Sequence, residues 1–281
     1  MVIPQYEHDL LIRELRFESD NDRNDGWVKE HYRRLLKSVD NVKTATHDYS
    51  TSLCNRSDMH MYATNMKTFY ERARATPFDE SELGEIINML GLNLTKDGPW
   101  ICGGAVRRTL LGASIDSDID IFSSSAEQLD AAVEHLLNVL DDHNINHHTN
   151  SRNTSMVHEV VVKLPHQSSE KNDGIKSVKV QFIKKYYPSV NDVLDSFDFT
   201  ICQFGYDGEN LFHGEYSLWD LGRRRLAVNR ITRPVSSIRR LVKYSNQGFT
   251  FCNGTITSIL ASAGVDVKTL ADSGILVDYI D

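Results

Sequence analysis

The alternation of apolar and polar positions divides the chain into three stretches of different texture. Up to about residue 95 the spacing is helical: "HDLLIRELRFE" and "WVKEHYRRLLKSV" return apolar residues at every third or fourth position. "ESELGEIINMLGL" follows "TPFD", where Asp79 stands ready to cap a helix that ends near Gly91. Between them "YSTSLCNRSDMHMYATN" has little period and reads as a loop or an irregular connection. Near Gly98 the texture changes to short apolar runs. "PWICGG" reads as a strand ending in a glycine turn, "AVRRTLLG" as a short helix stopped by Gly112, and "DSDIDIF" as a strand. "SSAEQLDAAVEHLLNVLDDH" is an amphipathic helix with a serine-rich start. "MVHEVVVKL" and "VKVQFIKKYY" are strands, with the polar loop "PHQSSEKNDGIKS" between them. "SVNDVLDSF" is a short helix, and "FDFTICQFGYDGENLFHG" is a strand, a turn at Asp207-Gly208 and a return strand. From about Tyr216 the spacing is helical again, and "PVSSIRRLVKYSNQGF" opens at a proline and closes at Gly248.

This pattern predicts an α+β fold: a mixed or mostly antiparallel sheet with helices on one side, flanked by helical segments at both ends. The expected organisation is a helical region over 1–95, an α+β domain over 96–215 and a basic helical region over 216–281. No internal repeat and no low-complexity tract interrupts it.

Composition narrows the picture. The chain has 281 residues, of which 40% are hydrophobic and 25% charged, as in ordinary globular proteins. No apolar run approaches the roughly 20 residues that span a bilayer, and the first residues carry no secretory signal. Cys54, Cys102, Cys202 and Cys252 are far apart and form no zinc framework. The expectation is a cytoplasmic protein, in a cell or in the host of a virus, with no membrane partner. A net charge of -8 argues against general coating of nucleic acid. The distribution qualifies this: from Leu221 to Val265 there is no acid, whereas Arg223, Arg224, Arg225, Arg230, Arg233, Arg239, Arg240 and Lys243 all fall there. Such a segment can face a polyanion locally, or be a solvated face paired with acidic neighbours.

The chemistry concentrates in "GGAVRRTLLGASIDSDIDIF", Gly103 to Phe122. On a strand, residues two apart share a face. Asp118 and Asp120 therefore project together, while Ile119 and Ile121 pack on the other side. Paired carboxylates are a poor structural choice but a good ligand set for Mg²⁺, which often takes one or two carboxylates plus substrate phosphates. Gly103 and Gly104 let the backbone approach a ligand closely. The helix start after them suits a phosphate, to which Arg107 or Arg108 adds charge. Two metals in such a site would activate a hydroxyl and stabilise a pyrophosphate leaving group.

This stretch resembles the signature of the DNA polymerase beta-type nucleotidyltransferase superfamily, in particular the CCA-adding enzymes and bacterial poly(A) polymerases. Their pattern GGxVRDxLLG followed by DhDh is matched by "GGAVRRTLLG" and "DSDIDIF". "FDFTICQFGYDG" is similar to their RRDFTINAhxYD segment, and "LWDLGRRRLAVNRITRPVSSIRRLVKYSNQGF" to their neck. The resemblance runs over about residues 99 to 250 and leaves the first 95 outside. It implies a nucleotidyltransferase palm that uses Mg²⁺ or Mn²⁺ and transfers a nucleoside monophosphate from ATP or CTP to a hydroxyl. RNA is the implied acceptor, tRNA first. It also implies roles. Asp118 and Asp120 match the metal-binding carboxylates. Gly103, Gly104 and Arg107 match the triphosphate turn, with Arg108 beside it. Asp198 matches an aspartate in contact with nucleotide or ribose. Arg239 and Arg240 match neck arginines near the phosphates or base, and Arg223, Arg224, Arg225 and Lys243 lie where RNA would pass.

The departures are specific. Arg108 stands where the pattern has an acid, Ser196 and Phe197 replace two arginines, and Cys202 replaces an asparagine. The third carboxylate is expected on a neighbouring central strand, yet "VKVQFI" offers only Lys179 and Gln181. Asp198 and Glu159 are the substitutes at hand; loss of this carboxylate weakens deprotonation of the acceptor. About 30 residues follow Phe249, with no template helix of the CCA-adding kind, so full CCA synthesis is not expected. Two other readings stay open: transfer to a protein or small molecule, and a silenced module that only binds nucleotide or RNA. His143, His147 and His148 read as a solvated loop rather than a metal site. Tyr186, Tyr187 and Trp219 read as core or boundary aromatics before they read as base-stacking residues.

Overall fold

A computed structural model describes residues 2–21, 25–39, 43–45, 61–73, 78–149, 156–166 and 174–264. In chain order the elements begin with β1 (Val2–Pro4), α1 (Gln5–Asp20), α2 (Gly26–Val39), β2 (Lys43–Ala45), β3 (Met61–Asn65), α3 (Met66–Ala73) and α4 (Glu82–Leu90). Next come β4 (Trp100–Cys102), α5 (Gly104–Leu110), β5 (Ile119–Ser123), α6 (Ala126–Asp142), β6 (His147–Thr149), β7 (Val157–His166) and β8 (Gly174–Tyr186). The chain continues through α7 (Val190–Asp195), β9 (Phe204–Tyr206), β10 (Asn210–Gly214), α8 (Ser217–Gly222), α9 (Pro234–Ser245) and α10 (Asn253–Ser262). The fold is α+β, as the pattern predicts. Among the described residues no helix is long and apolar enough to cross a membrane.

Two compact units emerge. One contains Met61–Phe197 with Ile201–Gly214; the other contains Met1–His60, Asp198–Thr200 and Glu215–Asp281. The first is built on an eight-stranded sheet of order β3-β10-β9-β4-β5-β8-β7-β6. Each neighbouring pair is antiparallel except β5 with β8, which run parallel. Strand β3 is the end of the stretch read as a loop or an irregular connection. It joins the sheet because β10 pairs with it from Asn210–Asn65 to Gly214–Met61, a partner no local pattern reveals. The strands β7 and β8 also extend into the segment read as a polar loop, pairing out to His166 and Gly174. Residues 167–173 lie outside the described residues, as does the irregular stretch up to residue 60.

Local chemistry explains where the helices of this unit begin. Ser125 caps α6: its Oγ accepts from the Gln128 amide at 3.2 Å, and the Gln128 side chain reaches back to accept from the Ser124 amide at 2.8 Å. This reciprocal pair satisfies donors that a helix start leaves open, and it fixes the turn that follows β5. Helix α4 is capped by Ser81 rather than Asp79, which sits in a preceding 3-10 turn. The shorter serine fits the extended capping conformation at the residue next to the helix, and its Oγ accepts from Gly84 N. Gly91 ends α4 in the left-handed conformation, as expected. A core of Trp100, Cys102, Phe122, Val190, Val193 and Leu194 seats α7 on one end of the sheet.

In the other unit α1 and α2 are neighbours, and His8 Nε2 lies 3.1 Å from the Val39 carbonyl. The segment expected as the first strand of "FDFTICQF" begins instead with a short pairing of this unit. Phe199 bridges Val228, Thr200 N donates to Ala227 O, and Asn229 N donates to Asp198 O. The chain then forms a 3-10 turn over Thr200–Cys202, and β9 starts only at Phe204. Helix α9 starts at Pro234, whose missing N–H costs nothing in the first turn.

Two histidines of the sheet unit have their pKa values lowered. Burial lowers the pKa of His213, partly opposed by its bond to the Gly214 carbonyl, and its ring stacks on Tyr62 at 5.8 Å. Burial and Lys184 lower that of His158, opposed by Asp130. The unfolded chain therefore takes up protons near pH ~6.5 that the folded chain refuses. Stability is complete above that pH and is lost as the pH falls towards the folded values. We expect the melting temperature to drop between about pH 7.5 and about pH 5.5, and to drop less in His213→Gln. Equal slopes for the two proteins, read by circular dichroism, would remove His213 from this account.

Candidate active site

One row of the sheet carries the polar chemistry. Cys102 on β4 pairs with Asp120 on β5, Asp120 with Gln181 on β8, and Gln181 with Glu159 on β7. Paired residues share a face, so these four side chains stand side by side. Asp118, two positions before Asp120, joins them. The neighbouring rows are apolar and face the other way: Ile119 with Val180 and Val160, and Ile121 with Phe182, all at most 1% exposed. A cavity of about 270 Å³ on that side is lined by Ile121, Phe182, Ala131, Ala132 and Leu92. On β5 the two-residue period thus sets Asp120 on the face opposite Ile119 and Ile121, while Phe122, on the side of Asp120, packs with Trp100 and Cys102.

The acids are held by specific partners. Gln181 Nε2 donates to Asp118 Oδ2 at 3.0 Å and to Glu159 Oε2 at 2.7 Å. Glu159 is buried, while Asp118, Asp120 and Gln181 are half-buried. Complete burial, with Asp120 adding to it, pushes the Cys102 thiol well above its ordinary value. Cys102 therefore stays protonated beside the acids and adds no negative charge.

The loop leading into Asp118 is anchored at three points. Arg108 Nε donates to the Ser114 carbonyl at 2.6 Å, and its guanidinium pairs with Asp116 at 2.7 Å. The Ile115 amide donates to Glu82 Oε2 at 2.7 Å, and Glu82 is paired with Lys176. Arg108, in the place of an acid in the family pattern, thus ties the helix to the loop that carries the aspartates. The start of α5 depends on Gly103, whose φ of 87° and ψ of -126° suit glycine alone; its N–H donates to Phe204 O at 2.7 Å. Gly104 faces Ser117: a Cβ there would stand 3.5 Å from Ser117 Oγ. That hydroxyl is buried without a hydrogen-bond partner among the described residues. Arg107 is 2% exposed and reaches Ile201 O at 3.5 Å and Cys202 Sγ at 3.9 Å. Its charge is buried against Ile201 and Cys202 rather than on the surface.

Asp198 and the arginine and lysine candidates after it belong to the other unit. Asp198 is buried, and its Oδ2 accepts from Ser237 Oγ at 2.9 Å and from Arg240 Nη1 at 2.8 Å. Arg239 and Lys243 are exposed on α9. Arg223 lies over the Trp219 ring at 5.1 Å, Arg224 over Phe249 at 5.7 Å, and Arg225 bridges Thr250. Two of the three consecutive arginines are thus spread on aromatic faces, which anchors them. Tyr187 is a core residue whose hydroxyl donates to Ser196, and Tyr186 is exposed.

Sequence reasoning found the aspartates and named Gln181 and Glu159, but did not reveal that Gln181 bridges Asp118 and Glu159. The clues to this pairing were single polar residues, Glu159 and Gln181, inside the apolar runs "VHEVVV" and "VKVQFI". Two carboxylates suit a hard divalent cation that takes its other ligands from phosphate oxygens and water, so the donor set fits Mg²⁺ or Mn²⁺. Among the described residues no three His, Cys, Asp or Glu side chains converge as a metal cage, His143, His147 and His148 included.

Fold and site together define the class: an α+β protein whose sheet bears a paired-aspartate strand beside a glycine turn. A family model described as "Gad2: Gabija anti-defense 2 family protein" matches residues 77–224. That is more than half of the chain, and the chain belongs to this family. The match includes Gly103, Asp118, Asp120, Glu159, Gln181 and Asp198, and ends before α9. Solved structures similar in part include a Thermotoga maritima CCA-adding enzyme complexed with tRNA, at 17% identity and TM-score 0.46, over 71% of this chain and 45% of that one. A CCA-adding enzyme in an apo form gives 17% and 0.44 over 76% and 47%. A tRNA-processing enzyme with CTP gives 20% and 0.41 over 69% and 49%. The chain thus spans less than half the length of each. No curated protein matches it.

Gly103→Ala tests the turn. Forcing an alanine to Gly103's backbone angles costs about 1–3 kcal/mol, so its melting temperature should fall. Gly222→Ala serves as control, since its new Cβ meets nothing within 4 Å. Equal melting curves for the two variants would show that the turn does not need glycine.

Proposed function

We propose that the protein is a metal-dependent nucleotidyltransferase. It transfers a nucleoside monophosphate from an NTP, ATP or CTP, to a hydroxyl acceptor and releases pyrophosphate. The observation that supports this best is the pair Asp118, just before β5, and Asp120 on it, next to the Gly103–Gly104 turn. Asp118 and Asp120 would hold Mg²⁺ or Mn²⁺. The bound ions supply charge neutralisation at the transferring phosphate and a lowered pKa for the attacking hydroxyl.

The chain's own residues do the rest. The Gly103 turn offers a close backbone approach for the triphosphate, and Arg107 on α5 adds a positive charge. Arg108, through Ser114 and Asp116, holds the loop that aims Asp118. In the other unit Asp198 orients Arg240, and Arg239, Arg240 and Lys243 present cations to nucleotide or nucleic-acid phosphates. Arg223, Arg224 and Arg225 extend that basic surface. The favoured acceptor is an RNA 3′ end, tRNA first as the motif resemblance implies, and the basic segment from Leu221 to Val265 supports a polyanionic partner. The family name favours a second acceptor, a component of the Gabija defence that the family opposes. In both readings the chemistry at Asp118 and Asp120 is the same.

Incubation with each labelled NTP, Mg²⁺ or Mn²⁺ and total RNA tests the reading. We expect label on RNA, reduced by roughly 10²–10³-fold or more in Asp118→Ala. Label on added defence proteins instead of RNA would select the second acceptor. Absence of label on any acceptor, with wild-type and Asp118→Ala proteins alike, would refute nucleotidyl transfer.

A further inference from the structure

The strand beside β5 carries an amide where a third carboxylate would complete the acidic site. Gln181 is in register with Asp120, and its Nε2 uses its two hydrogens on two different acids, Asp118 and Glu159. An ionised carboxylate only accepts, so both contacts require the nitrogen, not the oxygen, of the amide to face the acids. Glu159 thereby dictates which way Gln181 points. The amide then offers Asp118 a donor that occupies Oδ2 and leaves Oδ1 for other contacts. A glutamate one strand further from β5 is an unusual expense. Glu159 is 9% exposed, and a buried carboxylate is costly without compensation.

We propose that Glu159 is a positioning residue one strand beyond the cation site, acting on Asp118 through the Gln181 amide rather than as a ligand. This rests on the nucleotidyl-transfer reading and assigns two positioning residues to it. Glu159 contributes its charge and locks the Gln181 amide. Gln181 fixes the Asp118 carboxylate and separates two like charges that would otherwise repel. The register β5-β8-β7 allows this because Asp120, Gln181 and Glu159 are direct cross-strand neighbours.

The test is Mn²⁺ binding, followed by the electron paramagnetic resonance of the free ion, with thermal melting recorded for each protein. Wild type should bind Mn²⁺ and Asp118→Ala should not. Glu159→Gln keeps the shape and hydrogen-bonding capacity of the side chain but removes the charge. It should weaken Mn²⁺ binding about tenfold, the usual effect of losing a group that supports a metal ligand. Gln181→Met keeps the length of the side chain but offers Asp118 no donor, and should weaken Mn²⁺ binding to a similar degree. If Glu159→Gln melts early, Gln181→Met still decides: wild-type affinity in that variant overturns the proposal. Wild-type affinity in Glu159→Gln, with binding lost in Asp118→Ala, overturns the relay and leaves the nucleotidyl-transfer reading standing. No Mn²⁺ binding by the wild type removes that reading, and the relay with it.

Discussion

Two carboxylates on one face of a strand are the constraint around which the sheet unit is arranged. Asp118 and Asp120 repel each other, and the sheet interior beneath them is apolar. The structure meets this in three ways. Gln181 gives Asp118 a donor at 3.0 Å. Cys102, directly opposite Asp120, is kept protonated by burial and adds no charge. The loop before Asp118 is tied down by Arg108 and Glu82, so the acids are presented from a fixed base. The proposed metal-dependent transfer would add a cation to this arrangement.

The other unit follows a different logic. Its basic segment carries no acid between Leu221 and Val265, yet several of its cations already have work. Arg240 is paired with the buried Asp198, and Arg223 and Arg224 rest on aromatic rings. Those left facing water on α9, Arg239 and Lys243 among them, are the ones available to a phosphate backbone. The family model stops at residue 224, before this helix, so the acidic row belongs to the matched region while α9 does not.

Several elements were legible because their causes are local. Helix α6 follows from a capping serine, a glutamine three residues on and an amphipathic repeat, all within one segment. Gly91, Pro234 and the Asp207-Gly208 turn act in the same way. Other features escaped because their causes lie far along the chain. Strand β3 exists through pairing with β10, some 145 residues later. The pairing of Phe199 with Val228 delays β9 and converts the expected strand into a 3-10 turn. Asp79 read as the cap of α4, but the preceding 3-10 turn takes Asp79 and leaves Ser81 next to the helix.

The sequence by itself determined that Asp118 and Asp120 share a face and that a glycine turn precedes them, since strand period and glycine conformation are properties of neighbouring residues. It also exposed the missing acid on "VKVQFI". What stands beside the aspartates was decided only in three dimensions. The registers of β5 on β8 and of β8 on β7 place Gln181 and Glu159 in their row, and register is set by pairing across the whole sheet. The partners of Asp198, Ser237 and Arg240, were settled likewise, because about 40 residues separate them along the chain and only packing brings them together.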